Sequence, residues 1–280
     1  MSSAVDGYRR ILFPTDLKSG TELAYVHAFR LALADAGTLH VVHVHEPSLR
    51  PDWTHLPSAR ELCVRWGRLD ADQGVEAYSR LGVHVQFSAL PSLELEDPIE
   101  DTMEREQPDL LVLATDARQG AARLAVPSVA EDIARHGSMP ALFVPRDARP
   151  FVDAASGSTS LRTIVIPAGT EHQARLALAH AIRLVSSYDA APTDFVLVHV
   201  GTRESLPKVS LPDDTRWSLR VDVRNGNLPE QIVHAAEAHD ADCIVMATYG
   251  HDSLLDWIRG SRTELVVRSA PCPVLAVPEA

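Results

Sequence analysis

The sequence predicts an α/β fold that contains two tandem, doubly wound, parallel five-stranded sheets. Short, nearly continuous runs of bulky apolar residues alternate with helical segments, as expected for strands that are buried on both faces of a parallel sheet. The second part of the 280-residue chain also repeats the order of motifs found in the first part. A repeat of this length indicates two similar domains of ordinary size.

Four segments occur twice, in the same order. They are RRILFP, LHVVHVHEP, QPDLLVLATD and MPALFVP in the first copy, and RTIVIP, DFVLVHVGT, DADCIVMATY and CPVLAVP in the second. Ordered matches of this kind indicate a tandem duplication. We therefore expect one domain over residues 1–148 and a second over residues 161–280. Residues 149–160 are rich in small and polar side chains and are expected to form the linker.

Five apolar runs predict the strands of the first domain, with helical segments between them. In chain order the runs are ILFP, LHVVHV, VHVQF, LLVLAT and ALFV. Residues 57–82, between the second and third runs, carry an apolar stripe at helical spacing. The stripe consists of Leu62, Trp66, Leu69, Val75 and Tyr78. We expect one helix in this segment.

The second domain is shorter in the same region. The spacing between repeated residues falls from 156 positions (His43 to His199) to 133 positions (Asp109 to Asp242), a loss of 23 residues. The segment that remains, GTRESLPKVSLPDDTRW, contains two prolines, which disfavour a helix. We expect the second domain to lack one helix and to expose apolar surface where that helix is missing.

Composition and charge exclude several classes of function. The formal net charge is −12, so we expect no general attraction to nucleic acid or to an anionic membrane. No apolar run approaches the roughly 18 residues that a membrane-spanning helix needs, and the first residues lack the apolar core of a signal peptide. The three cysteines are odd in number and widely spaced, which fits a reducing compartment. We expect a cytoplasmic protein.

The loop that follows the fourth strand of the second domain has the features of an anion site. Gly250 follows the strand CIVMAT, and Gly260 precedes a helix that is predicted to begin near Ser261. Ser261 and Glu264 have the spacing of a capping box. The first turn of a helix has unpaired N–H groups and a partial positive charge, and glycine lets a phosphate approach the backbone closely. Arg262 could add a charge-assisted contact.

These residues carry a resemblance to a known family. Ala247, Gly250, Gly260 and Ser261 fall on the loop pattern of the universal stress protein family, with alanine at the first glycine position, and the ending SAPCPVLAVP is also typical of that family. The whole chain resembles the tandem two-domain form of the family. The resemblance implies an adenine nucleotide alpha hydrolase-like fold.

The resemblance also implies a ligand and its contacts. A cytoplasmic stress-response protein of this kind binds ATP or another adenine nucleotide, with or without Mg²⁺. The loop residues, with Arg262, would hold the phosphates in the second domain. The adenine would lie against Ala168, Val200 and Met246.

Each domain departs from the family pattern at a different place. Family binders have an aspartate after the first strand; the second domain has Gly169 there, whereas the first domain keeps Asp16. In the first domain, however, Ala117 and Pro127 stand where the loop glycines should be, and proline removes a backbone donor. We therefore expect nucleotide in the second domain, and only lesser candidate contacts in the first. Those lesser candidates are Thr15, Asp16 and Val44.

Histidines and cysteines offer alternative sites that the spacing does not favour. His43 and His45 share one face of a strand, and His40 or Glu46 could complete a zinc site, but no recognised ligand spacing supports it. We expect structural roles for these histidines and no metal. Cys243 and Cys272 are expected to be packing residues rather than redox groups.

Tryptophans are a further alternative. Trp217 and Trp257 could cover the pocket of the second domain, but we expect both to pack on the surface of the fold.

Two functions remain open, and a third is disfavoured. The first is a nucleotide-dependent regulatory or interaction module with at most slow ATP hydrolysis, because only Asp252 and Asp256 lie near the loop and no general base or magnesium ligand is evident. The alternative is a nucleotide-free module that binds a partner protein or an apolar small ligand. A nucleotidyl transferase is disfavoured, because neither copy has the expected phosphate motif after its first strand.

The resemblance finally implies a mode of assembly. Family members commonly pair through their last strands, edge to edge, so ALFVP and VLAVP would join the two domains of one chain into a pseudo-dimer. This pairing would hide both sheet edges. A further homodimer of two chains stays open.

Overall fold

The protein contains one continuous, mostly parallel sheet with helices on both faces. The computed structural model describes residues 7–18, 20–92, 96–116, 123–124, 139–188, 192–212, 216–248 and 262–279. The strands of its first half are β1 (Arg10–Pro14), β2 (Thr38–His45), β3 (His84–Pro91), β4 (Leu110–Asp116), β5 (Arg123–Leu124) and β6 (Ala141–Pro145). Those of its second half are β7 (Thr163–Pro167), β8 (Thr193–Val200), β9 (Trp217–Arg224), β10 (Cys243–Thr248) and β11 (Val274–Pro278).

Seven α-helices are present in the described residues. They are α1 (Glu22–Ala34), α2 (Ala59–Arg65), α3 (Val75–Ser79), α4 (Glu96–Glu106), α5 (Glu171–Ser186), α6 (Leu228–Ala238) and α7 (Arg262–Ser269). Short 3₁₀ turns lie at Trp53–His55 and Arg203–Ser205. No helix within the described residues is long and apolar enough to cross a membrane.

The two halves have the same strand order and meet at their last strands. The order across the sheet is β3-β2-β1-β4-β6-β11-β10-β7-β8-β9, and β5 pairs with β4 outside this path. Pairing is parallel within each half, apart from β5, and antiparallel between β6 and β11, where Leu142 faces Leu275. The expected edge-to-edge pairing of ALFVP with VLAVP is therefore present. As a result, the two predicted five-stranded sheets are merged into one.

The helical segment predicted over residues 57–82 differs from the expectation. It forms two short helices, α2 and α3, instead of one. Gly67 has a φ of +65°, a left-handed conformation that suits glycine and ends α2. Val75 was assigned to the apolar stripe, but it begins α3 and its surface is 77% exposed. Leu62, Trp66 and Leu69 are buried as predicted.

The corresponding connection in the second half is short. Between β8 and β9, the described residues contain only the 3₁₀ turn Arg203–Ser205, where the first half has α2 and α3. This difference matches the predicted loss of a helix.

Residues 149–160, the predicted linker, pack against the first half of the chain. Phe151 and Val152 are fully buried, and the Phe151 ring packs edge-on against the His27 ring, with 4.5 Å between ring centroids. The backbone N–H of Val152 donates to Nε2 of His27 at 3.3 Å, while Nδ1 of His27 contacts the carbonyl oxygen of Leu23 at 2.8 Å. Burial lowers the pKa of His27 to about 4, so the ring is neutral and can accept this bond. The segment predicted as the linker thus contributes two buried apolar side chains to the fold.

Helix α5 of the second half contacts the first half through a cation–π contact and through hydrogen bonds. The Arg183 guanidinium lies 4.0 Å from the centroid of the Tyr8 ring and donates to the Gly7 carbonyl oxygen at 2.9 Å. The Tyr8 hydroxyl contacts Nδ1 of His180 at 2.8 Å. Because α1 and α5 lie on the same face of the sheet, one cluster of buried side chains extends through both halves.

Candidate functional site

Three predicted contact residues lie at neighbouring strand ends in the second half. The central strand β7 pairs with β8 on one side and with β10 on the other. Ala168 directly follows β7, Val200 ends β8, and Met246 lies near the end of β10. Ala168 and Met246 are buried, with 3% and 6% of their surface exposed, and Val200 is half-buried. The structure thus places all three residues at the carboxyl edge of the sheet, where ligands of such folds bind, and these strand ends form the floor of the candidate site. Ala168 packs into the core cluster on one face of the sheet and Met246 into the cluster on the other.

A histidine ties the two loops beside this floor. Nδ1 of His199 lies 2.8 Å from the carbonyl oxygen of Ala168, and Nε2 lies 2.8 Å from the hydroxyl of Ser205. The first bond crosses from β8 to the residue that follows β7, so it fixes the backbone at the floor of the site. The sequence analysis missed Ser205, and no motif indicated it.

The first half repeats the same bond. Nδ1 of His43 lies 2.8 Å from the carbonyl oxygen of Thr15, the residue that follows β1. An imidazole N–H that donates to a backbone carbonyl positions a loop. This geometry supports the structural role expected for His43. Its repetition as His199 was the available sequence signal.

The predicted phosphate loop can be placed only in part. Gly250, Gly260 and Ser261 lie outside the described residues, as do Asp252, Asp256 and Trp257. Ala247 is half-buried within β10, and Arg262 begins α7 with an exposed side chain. The predicted cap at Ser261 stays a prediction, and the described part of α7, Arg262–Ser269, follows it directly.

Gly169 occupies the position of the missing aspartate. A Cβ atom built on Gly169 would lie 2.6 Å from Oε1 of Gln173. That oxygen accepts from the backbone N–H of Thr170 at 3.2 Å, as part of a capping box at the start of α5. The Gln173 carboxamide thus uses the space that a side chain at position 169 would need.

Thr15 and Asp16, two of the lesser candidates of the first half, form hydrogen bonds with residues close to them in the sequence. Asp16 accepts from the backbone N–H of Lys18 at 3.0 Å and pairs with the Lys18 ammonium at 3.2 Å. The Thr15 hydroxyl accepts from the N–H of Leu17 at 3.1 Å, and Thr15 is buried. Val44 is half-buried near the end of β2. Ala117 and Pro127 lie outside the described residues.

The other candidate residues either lie away from this edge or are buried and unreactive. Trp217 begins β9, at the opposite edge of the sheet, and packs against Phe195, so it cannot cover the candidate site. Cys243 and Cys272 are fully buried. Burial raises the pKa of the Cys272 thiol to about 12 and that of Cys243 well above its usual value, so both remain protonated at neutral pH.

Comparison with known sequences identifies a family. The sequence model of the universal stress protein family matches residues 7–145 and 216–278, which is more than half of the chain. The chain is 28% identical to Universal stress protein MJ0531 of Methanocaldococcus jannaschii over 149 residues, covering 44% of this chain and 85% of that protein. It is 31% identical over 113 residues to a Thermus aquaticus protein, "Universal stress protein in QAH/OAS sulfhydrylase 3'region", covering 38% of this chain and 79% of that protein.

Comparison with solved structures agrees on the fold. A universal stress protein from Archaeoglobus fulgidus superposes with a TM-score of 0.59 at 15% identity, over 96% of this chain and 98% of that one. The likeness to this structure extends through both halves of the sheet. Because the sequence model matches residues of both halves and the strand order is the same, this chain belongs to the universal stress protein family.

Proposed function

We propose that this protein binds ATP or a related adenine nucleotide in its second domain, residues 161–280. The first domain, residues 1–148, is a structural partner with a degenerate loop, and residues 149–160 join the two as a tandem pair. The observation that carries the proposal is the position of Ala168, Val200 and Met246 at the carboxyl ends of three neighbouring parallel strands, where ligands of such folds bind. Family membership supports the same assignment.

The adenine ring would lie on this floor, where apolar side chains favour an aromatic ligand. The phosphates would lie at the loop of Gly250, Gly260 and Ser261. The N-terminus of α7 provides N–H groups and a partial positive charge, and Arg262 adds a full charge. His199 holds the loop after β7 in position, which would preorganise the adenine side of the site.

The output would be a change of conformation or partner rather than rapid chemistry. We assign no catalytic residue. Bound nucleotide would report the metabolic state of the cytoplasm to a partner, as a stress-response module requires. Hydrolysis, where it occurs, would be slow.

Titration calorimetry with ATP tests this proposal. We expect one ATP per chain, because only the second domain combines the floor with an intact glycine pair. GTP serves as the control for the adenine contact and should bind more weakly. A stoichiometry of two per chain, or the absence of binding heat with a flat thermal-shift response, would contradict the proposal.

Restoring the missing carboxylate should strengthen binding. We expect Gly169→Asp to bind ATP about tenfold more tightly than Gly169→Ala, since a hydrogen bond to a charged group contributes about 1.5–3 kcal/mol. Both variants displace the Gln173 carboxamide, so the alanine variant controls for that disturbance. The measurement is the Kd for ATP of each purified variant. Equal values would show that no nucleoside hydroxyl lies near residue 169.

A second candidate function is a nucleotide-free binding module. Val221 on the edge strand β9 is 48% exposed, and β9 lies in the half that lacks helices equivalent to α2 and α3. An apolar ligand or a partner protein could cover this face. Native mass spectrometry of the freshly purified protein separates the two functions. A copurified apolar molecule without adenine would favour this one.

A further inference from the structure

A polar cavity of about 600 Å³ lies between the two halves, away from the candidate nucleotide site. Its lining includes Leu33 and Ala34 at the end of α1, Ser187 and Tyr188 at the end of α5, and part of the segment 149–160. Helices that follow parallel strands begin at the carboxyl edge of the sheet and return to its amino edge. The cavity is therefore at the opposite edge from Ala168 and Val200.

Among the residues that the structure describes, two arginines line this cavity and no carboxylate does. Arg30 comes from α1, and Arg68 follows α2. Asp35 influences Arg30 electrostatically but neither lines the cavity nor forms an ion pair with it among the described residues. In a chain with a net charge of −12, the described lining of this cavity therefore carries a local excess of positive charge.

Arg30 is held in place by its surroundings. Its Nε donates to the carbonyl oxygen of Gly157 at 2.9 Å, and its guanidinium lies 4.8 Å from the centroid of the Tyr188 ring. Its terminal N–H groups donate no further hydrogen bond within the described part of the chain. Burial lowers the pKa of Arg30 and the nearby charge of Arg68 lowers it further, whereas Tyr188 and Asp35 act in the opposite direction. A bound anion would relieve this like-charge repulsion.

The wall made by residues 154–159 is also fixed. Trp66 Nε1 donates to the carbonyl oxygen of Ala154 at 3.1 Å. Gly157 has a φ of +68°, and a Cβ atom there would lie 2.4 Å from the Trp66 ring, so only glycine lets the segment lie this close. The hydroxyls of Ser156, Ser158, Thr159 and Ser187 complete a lining rich in hydrogen-bonding groups. The cavity is thus largely formed before any ligand arrives.

We propose that this cavity binds a small phosphorylated metabolite, with Arg30 and Arg68 as the phosphate-binding groups. Guanidinium groups only donate hydrogen bonds and match the geometry of phosphate, so the ligand must be rich in acceptors and negatively charged. The volume suits a molecule of metabolite size. Because residues of both halves line the cavity, the ligand would also stabilise their association. The proposal does not depend on nucleotide binding at the other edge.

Titration calorimetry and thermal shift with glucose 6-phosphate test this site, with glucose as the uncharged control. We expect glucose 6-phosphate at millimolar concentration to raise the melting temperature and glucose to leave it unchanged. Arg68→Gln should weaken binding of glucose 6-phosphate about tenfold or more. Arg65→Gln is the matched control, because Arg65 is exposed on α2 and does not line the cavity.

Two further variants show whether binding of glucose 6-phosphate depends on this cavity or on the nucleotide loop. Arg30→Gln should weaken binding at least as much as Arg68→Gln, whereas Gly260→Pro should leave it unchanged because the nucleotide loop is elsewhere. The proposal is wrong if glucose 6-phosphate fails to bind the wild-type protein. It is equally wrong if Arg65→Gln and Arg68→Gln lose the same affinity, or if Gly260→Pro abolishes binding.

Discussion

Replacing Gly260 by proline is expected to weaken ATP binding about a hundredfold. Proline removes a backbone N–H at the phosphate loop, and a hydrogen bond to a charged group contributes about 1.5–3 kcal/mol, or roughly ten- to a hundredfold in Kd. The proline ring also fixes φ and blocks the close approach that glycine allows. The Kd for ATP, measured by titration calorimetry, gives the size of the loss.

The first half supplies the matched control for this change. Pro127 is the residue that stands at the corresponding position there, so Pro127→Gly makes the reverse exchange in the degenerate loop. We expect Pro127→Gly to leave the ATP affinity and stoichiometry of the protein unaltered. If the wild-type protein and Gly260→Pro bind ATP with equal affinity, the predicted phosphate loop does not bind the phosphates.

Replacing Phe151 by alanine is expected to lower the free energy of unfolding by about 3–5 kcal/mol, the range for truncating a buried phenylalanine. The Phe151 ring is fully buried and packs against His27 of α1, so the truncation leaves a cavity between α1 and the segment 149–160. Urea denaturation followed by circular dichroism measures the change.

The same truncation at a more exposed ring is the control. Phe87 on the edge strand β3 is 43% exposed, so Phe87→Ala removes less buried apolar surface. We expect it to lower the free energy of unfolding by less than half as much as Phe151→Ala. Should Phe151→Ala destabilise the protein no more than Phe87→Ala, residues 149–160 would not belong to the core.

Much of the fold could be predicted because it depends on patterns that act locally. A strand buried on both faces must be nearly all apolar, and runs such as LLVLAT at residues 110–115 allow few other interpretations. Because the motifs are repeated, each strand is also predicted a second time, at the corresponding position of the other half. The loss of a helix between β8 and β9 could also be predicted, because it changes the spacing of repeated residues.

Other features could not be predicted because they depend on contacts distant in sequence. Phe151 and Val152 sit among small polar residues, and their burial depends on His27, more than 120 positions earlier. The division of residues 57–82 into α2 and α3 depends on the backbone of Gly67, whereas the apolar spacing alone suggested one helix. The bond from His199 to Ala168 likewise requires the parallel pairing of β7 with β8.

The candidate site was predictable where it lies on strands. Ala168, Val200 and Met246 lie at the ends of neighbouring parallel strands, whose carboxyl ends must meet, and their role in binding stays a prediction. The sequence alone predicts only part of the effect of Gly169. The sequence revealed the missing carboxylate, but the structure was needed to show that Gln173 uses its space. The cavity between the halves, with Arg30 and Arg68, had no sequence signal.

A crystal structure of the protein grown with excess ATP is the most direct test of the central claim. We expect adenine density against Ala168, Val200 and Met246, phosphates at the N-terminus of α7, and no nucleotide beside Thr15 and Asp16. Nucleotide in the first half alone, or two empty sites despite saturating ATP, would contradict the assignment of binding to the second domain.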